Sequence, residues 1–288
     1  MSTRNAGRTL RRSLVSQLAA AALGFASLSV AATTEIEWLS LSPGADGVAA
    51  SMAGCSQSIP LAQEAASADA FGNIYLTGCS NYDILTVKYG PDGKALWARR
   101  LDLDRNAGTR GIGVVVDEQQ RVYVGGSGTN ASNQRPMLAA AYDPAGQLLW
   151  VYEYLRPDPF ASAASLRAIQ LDQAGNLILL GDTGQVTVIK IDRDGNLIWD
   201  WSWEEGESLD AAPVALALDE QGNVHVAAQT RSGAPLQSDI ATIKLSSDGQ
   251  FQWVEHYAAP WGDDDGAFDI RVASTGDVHV LALSEQAN

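Results

Sequence analysis

Asp69-Ala-Phe-Gly-Asn-Ile-Tyr-Leu-Thr-Gly78 is the stretch that decides the fold, because the sequence repeats it. It returns as Asp117-Glu-Gln-Gln-Arg-Val-Tyr-Val-Gly-Gly126, as Asp172-Gln-Ala-Gly-Asn-Leu-Ile-Leu-Leu-Gly181 and as Asp219-Glu-Gln-Gly-Asn-Val-His-Val-Ala-Ala228. A further copy reads Ala273-Ser-Thr-Gly-Asp-Val-His-Val280. The Gly-Asn pair makes a tight turn, and the β-branched and aromatic run after it alternates with period two, which is hairpin chemistry. A second element follows each time. It reads Ile84-Leu-Thr-Val-Lys-Tyr89 and then Pro91-Asp-Gly-Lys-Ala-Leu-Trp97, and its later copies end at Trp150, Trp199 and Trp253.

Each unit therefore holds two hairpins, four antiparallel strands in about fifty residues, which is the size of a propeller blade. The expected fold is an all-β propeller of four-stranded antiparallel blades, four complete plus one partial. The blades span about 64–101, 110–154, 166–203, 213–257 and, for the partial one, 267–288. Small residues in the first strand, such as Glu64-Ala-Ala-Ser-Ala68, suit crowding around an axis, and the bulky fourth strand fills the wider rim. From each Trp to the next unit's turn the spacing is 20, 22, 20 and 20 residues, whereas the reverse spacing alternates short and long. That variation lies between the second and third strands. Loops joining strands two to three, and one blade to the next, share a face, and binding is expected there.

These residues resemble the bacterial β-propeller repeats called SBBP repeats, through the Asp-x-x-Gly-Asn-Val-Tyr-Val-Thr-Gly pattern, the Thr-Val-Lys-Tyr strand and the Asp-Gly…Trp hairpin. The resemblance covers roughly Glu64 to Val280. The second unit departs from it, with Ala141 where others carry Lys88, Lys190 and Lys244, and with Gln120-Arg121 in place of Gly-Asn. Such repeats occur in exported bacterial proteins, so the resemblance implies fold and location more than a ligand. A more distant likeness to quinoprotein propeller repeats implies an alternative function: a periplasmic oxidoreductase holding pyrroloquinoline quinone in the axial channel.

Residues 1–32 read as a signal peptide, with Arg4, Arg8, Arg11 and Arg12 before the apolar run Leu18–Val30 and small residues at 29–32. Arg11-Arg12 resembles a twin-arginine signal, with Leu10 where Ser or Thr is usual, so either export route stays open. Residues 33–63 form an N-terminal strand, marked by Glu35-Ile-Glu-Trp38, and a long loop. The expected location is secreted or periplasmic. The net charge of −15 falls to about −19 without the four signal arginines, which disfavours nucleic acid and anionic lipid. No later stretch is apolar for long enough to span a membrane. Cys55 and Cys79 are expected to form a disulfide in an oxidising compartment.

No nucleophile elbow, zinc-type histidine pair or phosphate loop appears, so catalysis is not the expected role. His225 and His279 occupy the position of Tyr75 and Tyr123, a packing position. The Asp-Gly turns read as turn chemistry rather than calcium loops. No cofactor is expected; three acidic residues flanked by glycine, Asp263, Asp264 and Asp265, read first as a solvated acidic rim and are the one candidate site for calcium. Trp261, Glu204 and Glu205 are the candidate binding residues, for a protein or carbohydrate partner. Trp199, Trp201 and Trp203 are expected to pack between blades. Because the fifth unit shows no third strand, the ring is expected to be completed by further blades or by another chain.

Overall fold

A computed structural model describes residues 65–80, 83–101, 108–130, 132, 134–155, 164–203, 211–232, 237–259 and 264–284. Eighteen strands and no helix are present among them. The first blade holds β1 (Ala66–Ala68), β2 (Ile74–Ser80), β3 (Asp83–Tyr89) and β4 (Ala95–Leu101). The second holds β5 (Arg110–Val116), β6 (Val122–Ser127), β7 (Met137–Tyr142) and β8 (Leu148–Tyr154). The third holds β9 (Ser165–Leu171), β10 (Leu177–Asp182), β11 (Val186–Ile191) and β12 (Leu197–Ser202). The fourth holds β13 (Ala212–Leu218), β14 (Val224–Ser232), β15 (Gln237–Leu245) and β16 (Phe251–Tyr257), and the fifth sheet is the pair β17 (Asp265–Val272) and β18 (Val278–Ser284). In each four-stranded sheet the strands lie side by side in chain order, all antiparallel. The first strand of each blade packs on the first strand of the next, so these strands form the inner edge. The result is the propeller architecture expected from the repeat, and the sheets of the described residues do not close into a ring.

The hairpins follow from their turn residues. In the first, Gly72 N donates to Asp69 O at 3.1 Å and Asp69 N to Asn73 O at 3.1 Å, with Gly72 at φ 79°. This is a three-residue hairpin loop that needs one left-handed residue. The second blade lacks the glycine, yet builds the same turn: Gln120 takes φ 61°, the one non-glycine residue at positive φ among those described. Turn geometry imposed by the flanking strands overrides the residue's own preference there.

Two regular features of the register were not expected. The first strand of blades two to five carries a β-bulge that leaves Ile112, Arg167, Val214 and Phe268 without a partner. The fourth strand of blades one to four carries another, at Leu96, Leu149, Ile198 and Gln252. A bulge bends and twists its strand, and repetition at fixed places shapes every blade alike.

The core lies between blades. Trp199, Trp201 and Trp203 of the third blade pack on Leu216, Val224, Val226 and Ile243 of the fourth, and Trp150, Tyr152 and Tyr154 fill the same place one blade earlier. The aromatic rows are therefore interblade packing, as their spacing predicts.

Candidate functional site

The face carrying the tight turns uses its polar residues internally. Asp69 Oδ1 accepts the backbone N–H groups of Phe71 and Asn73 at 2.9 Å each, while Oδ2 accepts from the Asn73 amide at 2.6 Å and the Tyr75 hydroxyl at 2.8 Å. Asp172 receives the Asn176 amide at 2.9 Å and Lys190 Nζ at 2.9 Å, where Ile178 replaces the tyrosine. Asp219 receives the Asn223 amide at 2.8 Å, His225 Nε2 at 3.2 Å and Lys244 Nζ at 3.4 Å. Burial alone would raise the Asp219 pKa, but those hydrogen bonds outweigh it and bring it down to about 2. Burial likewise lowers the pKa of His225, against the pull of Asp219 and helped by Lys244. A buried neutral imidazole donating to a carboxylate that also receives Gln221 N, Asn223 N, the Asn223 amide and Lys244 is a packing group, as its repeat position implies.

The second blade solves the same problem differently. Arg121 stands where the other turns place asparagine, and Ala141 where the third strand of the others places lysine. Arg193, from the turn between β11 and β12 of the next blade, supplies the missing donor. Its Nη2 lies 3.2 Å from Asp117 Oδ2 and also meets Gln119 Oε1. Sequence reading noticed the two departures but not their remedy; the signal was an extra arginine inside the third Asp-x-x-Gly turn.

Tryptophan clamps each of the first three blades to the next. The indole N–H of Trp97 donates to Pro144 O at 3.1 Å, that of Trp150 to Arg193 O at 3.0 Å and that of Trp199 to Ser247 O at 3.2 Å. In every case the acceptor is the second residue of the following blade's turn. The turn glycine lies flat on the ring: a Cβ added at Gly195 would come within 2.8 Å of Trp150.

On the opposite face, where binding is expected, Trp261, Glu204, Glu205, Asp263 and Cys55 lie outside the described residues. Cys79, near the end of β2, is not free and sits opposite Ile84. The acidic run is placed differently from its reading as a loop. Asp265 is the first residue of β17 and is fully buried, with Oδ2 accepting Ala259 N at 2.6 Å. Asp264 Oδ1 accepts Ser238 N at 2.8 Å. The two carboxylates thus cap backbone N–H groups of β15 and of the connection that leaves β16, a need that the sequence does not reveal. Asp265 Oδ1 is buried with no hydrogen-bond partner. No group of three metal-ligating side chains occurs among the described residues.

The inner edge was the alternative place for chemistry. Of its four bulged residues only Arg167 is charged, and it already pairs with Asp182 at 3.1 Å. Nothing there supports a quinone site.

No family model and no curated protein matches the chain. Among solved structures it is similar to an endo-arabinase from Bacteroides thetaiotaomicron, with 16% identity and TM-score 0.39 over 75% of this chain and 86% of that one. It is also similar to the β-propeller domain of the Trilobed protease from Pyrococcus furiosus, with 10% identity and TM-score 0.37 over 74% and 75%. The WD40 domain of SCAP from fission yeast shares 10% identity at TM-score 0.38, over 75% and 50%. The fold rests on the repeat and the sheets themselves rather than on these distant likenesses. No helix among the described residues is long and apolar enough to cross a membrane.

Proposed function

We propose that this protein is a secreted, non-catalytic binding or scaffold module of the SBBP-repeat kind, holding a protein or carbohydrate partner on the face of the long loops. One observation carries the reading. Throughout the described turn face, the repeat aspartates are occupied by turn backbone N–H groups and by neighbouring asparagine, tyrosine, histidine, lysine and arginine side chains, so these carboxylates serve to hold the turns. The variation in loop length lies on the opposite face, where recognition on a rigid scaffold is expected. Trp261, Glu204 and Glu205 are assigned to contact the partner. The test compares the exported parent with Trp261→Ala and Glu204→Gln/Glu205→Gln on a glycan array and against extracellular proteins. Binding lost in the variants at unchanged circular dichroism supports the reading; binding unchanged in both overturns it.

A second reading is favoured by the unpartnered Asp265 Oδ1: calcium held by Asp263, Asp264 and Asp265, oxygen ligands suited to a hard cation. Calorimetry with calcium on the parent and on Asp264→Ala decides it, equal heats removing the site.

A further inference from the structure

We propose that the junction of the second and third blades, at its loop-face end, is a binding site for a carboxylate-bearing sugar, with the carboxylate taken by Arg110 and Arg135. The chain carries 34 acids against 19 lysines and arginines, so most of its cations meet an acid or a carbonyl. On the turn face Lys88, Arg99, Arg121, Lys190, Arg193 and Lys244 are each held by a side-chain or backbone acceptor. Arg110 and Arg135 differ. Both are exposed, and neither side chain has a hydrogen bond or ion pair among the described residues.

Strand register brings the two together. Arg110 of β5 lies opposite Ser127 of β6, and Ser127 lies opposite Met137 of β7. Residues directly opposite in neighbouring antiparallel strands share a sheet face. This face looks at the third blade: Ser127 Oγ accepts Leu166 N at 2.7 Å, and Met137 packs with Leu166 and Ala164. Arg135 stands two residues before Met137 and is held extended by Pro136, so the strand period of two returns it to the same face. Its carbonyl accepts Ala164 N at 2.7 Å. Both arginines are therefore mounted on backbone tied to the entry of β9. Arg167, the bulged residue beside Leu166, spends one nitrogen on Asp182 at 3.1 Å and adds a third guanidinium to this corner. Glu153, the acid of β8, sits opposite Leu138 and so on the other face, toward the first blade.

A guanidinium is a planar fork that matches a carboxylate with two parallel bonds. Two such forks on one face repel each other, and an anion laid between them turns that repulsion into attraction. The rest of the corner is polar: Ser127, Asn130, Gln134 and Ser165 are half-buried or exposed. The exposed large apolar side chains of the described residues lie elsewhere, on the turns, the outermost strands and the fifth sheet. Protein partners are gripped through aromatic and other large anchors seated in pockets, whereas a hydroxyl-rich acid is gripped by forks, amides and hydroxyls. That contrast selects an acidic sugar over an acidic peptide. The inference rests on the loop-face reading above for its face, yet it uses residues other than Trp261, Glu204 and Glu205, so either can fail alone.

The test is calorimetry on the full chain with tetragalacturonate as probe, beside a neutral galactose tetramer and tetraglutamate. The expected result is binding of tetragalacturonate that weakens as salt rises, and none of the neutral sugar. Arg110→Gln/Arg135→Gln, at two exposed positions that leave circular dichroism unchanged, binds about tenfold more weakly. Lys94→Gln, which removes an exposed cation of the turn face, binds like the parent. No binding, equal binding of the neutral sugar, or an arginine variant that binds like the parent overturns the proposal. So does an equal loss in Lys94→Gln, which would make the attraction a matter of overall charge. Tetraglutamate bound as tightly as the sugar would assign the forks to an acidic peptide instead. Loss with Trp261→Ala but not with the arginine variant overturns this site and keeps the loop-face reading.

Discussion

Replacing Arg193 with methionine tests whether a residue of the third blade holds the second blade's turn together. Asp117 is nearly buried, with 5% of its side chain exposed, and Arg193 is 41% exposed. Removing one partner of a buried pair costs about 3–5 kcal/mol, and an exposed pair about 0–1 kcal/mol. Asp117 keeps three donors, Gln119 N at 3.0 Å, Arg121 N at 2.8 Å and the Tyr123 hydroxyl at 3.2 Å. A loss of about 2 kcal/mol is therefore expected, the worth of one hydrogen bond to a charged group. The remedy is visible in the other blades: Arg121→Asn supplies the amide that Asn73, Asn176 and Asn223 supply. Arg193→Met/Arg121→Asn should recover at least about 1 kcal/mol of the loss, a coupling that urea unfolding of the four proteins of the cycle measures. Arg193→Met within about 0.5 kcal/mol of the parent, or no recovery in the double variant, refutes the reasoning.

Three further outcomes are expected. Trp199→Phe keeps a ring but loses the bond to Ser247 O, costing about 1 kcal/mol in urea unfolding, whereas Trp253→Phe costs almost nothing; equal losses would remove the clamp. Stability should fall on acidification in two stages. His225, its folded pKa lowered, disfavours the folded state once pH drops below about 6.5, and Asp219, lowered to about 2, withdraws about 2 kcal/mol as pH falls from about 4 to 2. Asp219→Asn should flatten the lower stage and His225→Tyr the upper, and an unchanged profile in both counts against the network. Cys55 and Cys79 should be bridged in exported protein, contributing about 3 kcal/mol through a loop of some two dozen residues; two free thiols by mass spectrometry would exclude the bridge.

Much of the architecture is legible in the sequence because it rests on local chemistry repeated four times. Asp-x-x-Gly-Asn dictates a turn wherever it occurs, and period-two alternation after it dictates which side chains enter the core. Even Gln120 does not hide the second turn, since the strands on either side of it match the repeat. What stays hidden is what depends on the neighbouring blade. That Trp150 and Arg121 both donate to Arg193 O at 3.0 and 2.8 Å, while the Arg193 side chain returns to Asp117, joins positions more than forty residues apart. No pattern within one unit encodes it. Asp265 is the clearest case among the candidate residues. Three acids between glycines look like a solvent loop, yet the third is the buried start of β17, because Ala259 N needs an acceptor where the chain enters the next blade.

The turn face and the loop face divide the work of the molecule, and the division explains why chemistry is scarce in what can be read. A blade's turns need their caps, and in the first three blades the tryptophan also finds the next turn. The repeat aspartates of that face and the lysines and arginine that meet them are therefore committed: Lys190 and Trp199 even share one acceptor, Ser247 O, at 3.0 and 3.2 Å. A substitution there disturbs two blades at once, as Arg193 illustrates. Loops between second and third strands carry no such duty, so their lengths alternate while the turn-to-turn spacing stays near 20 residues. Selection for a new partner can act on those loops without loosening the clamps. That freedom is the physical argument behind the proposal of recognition on the loop face.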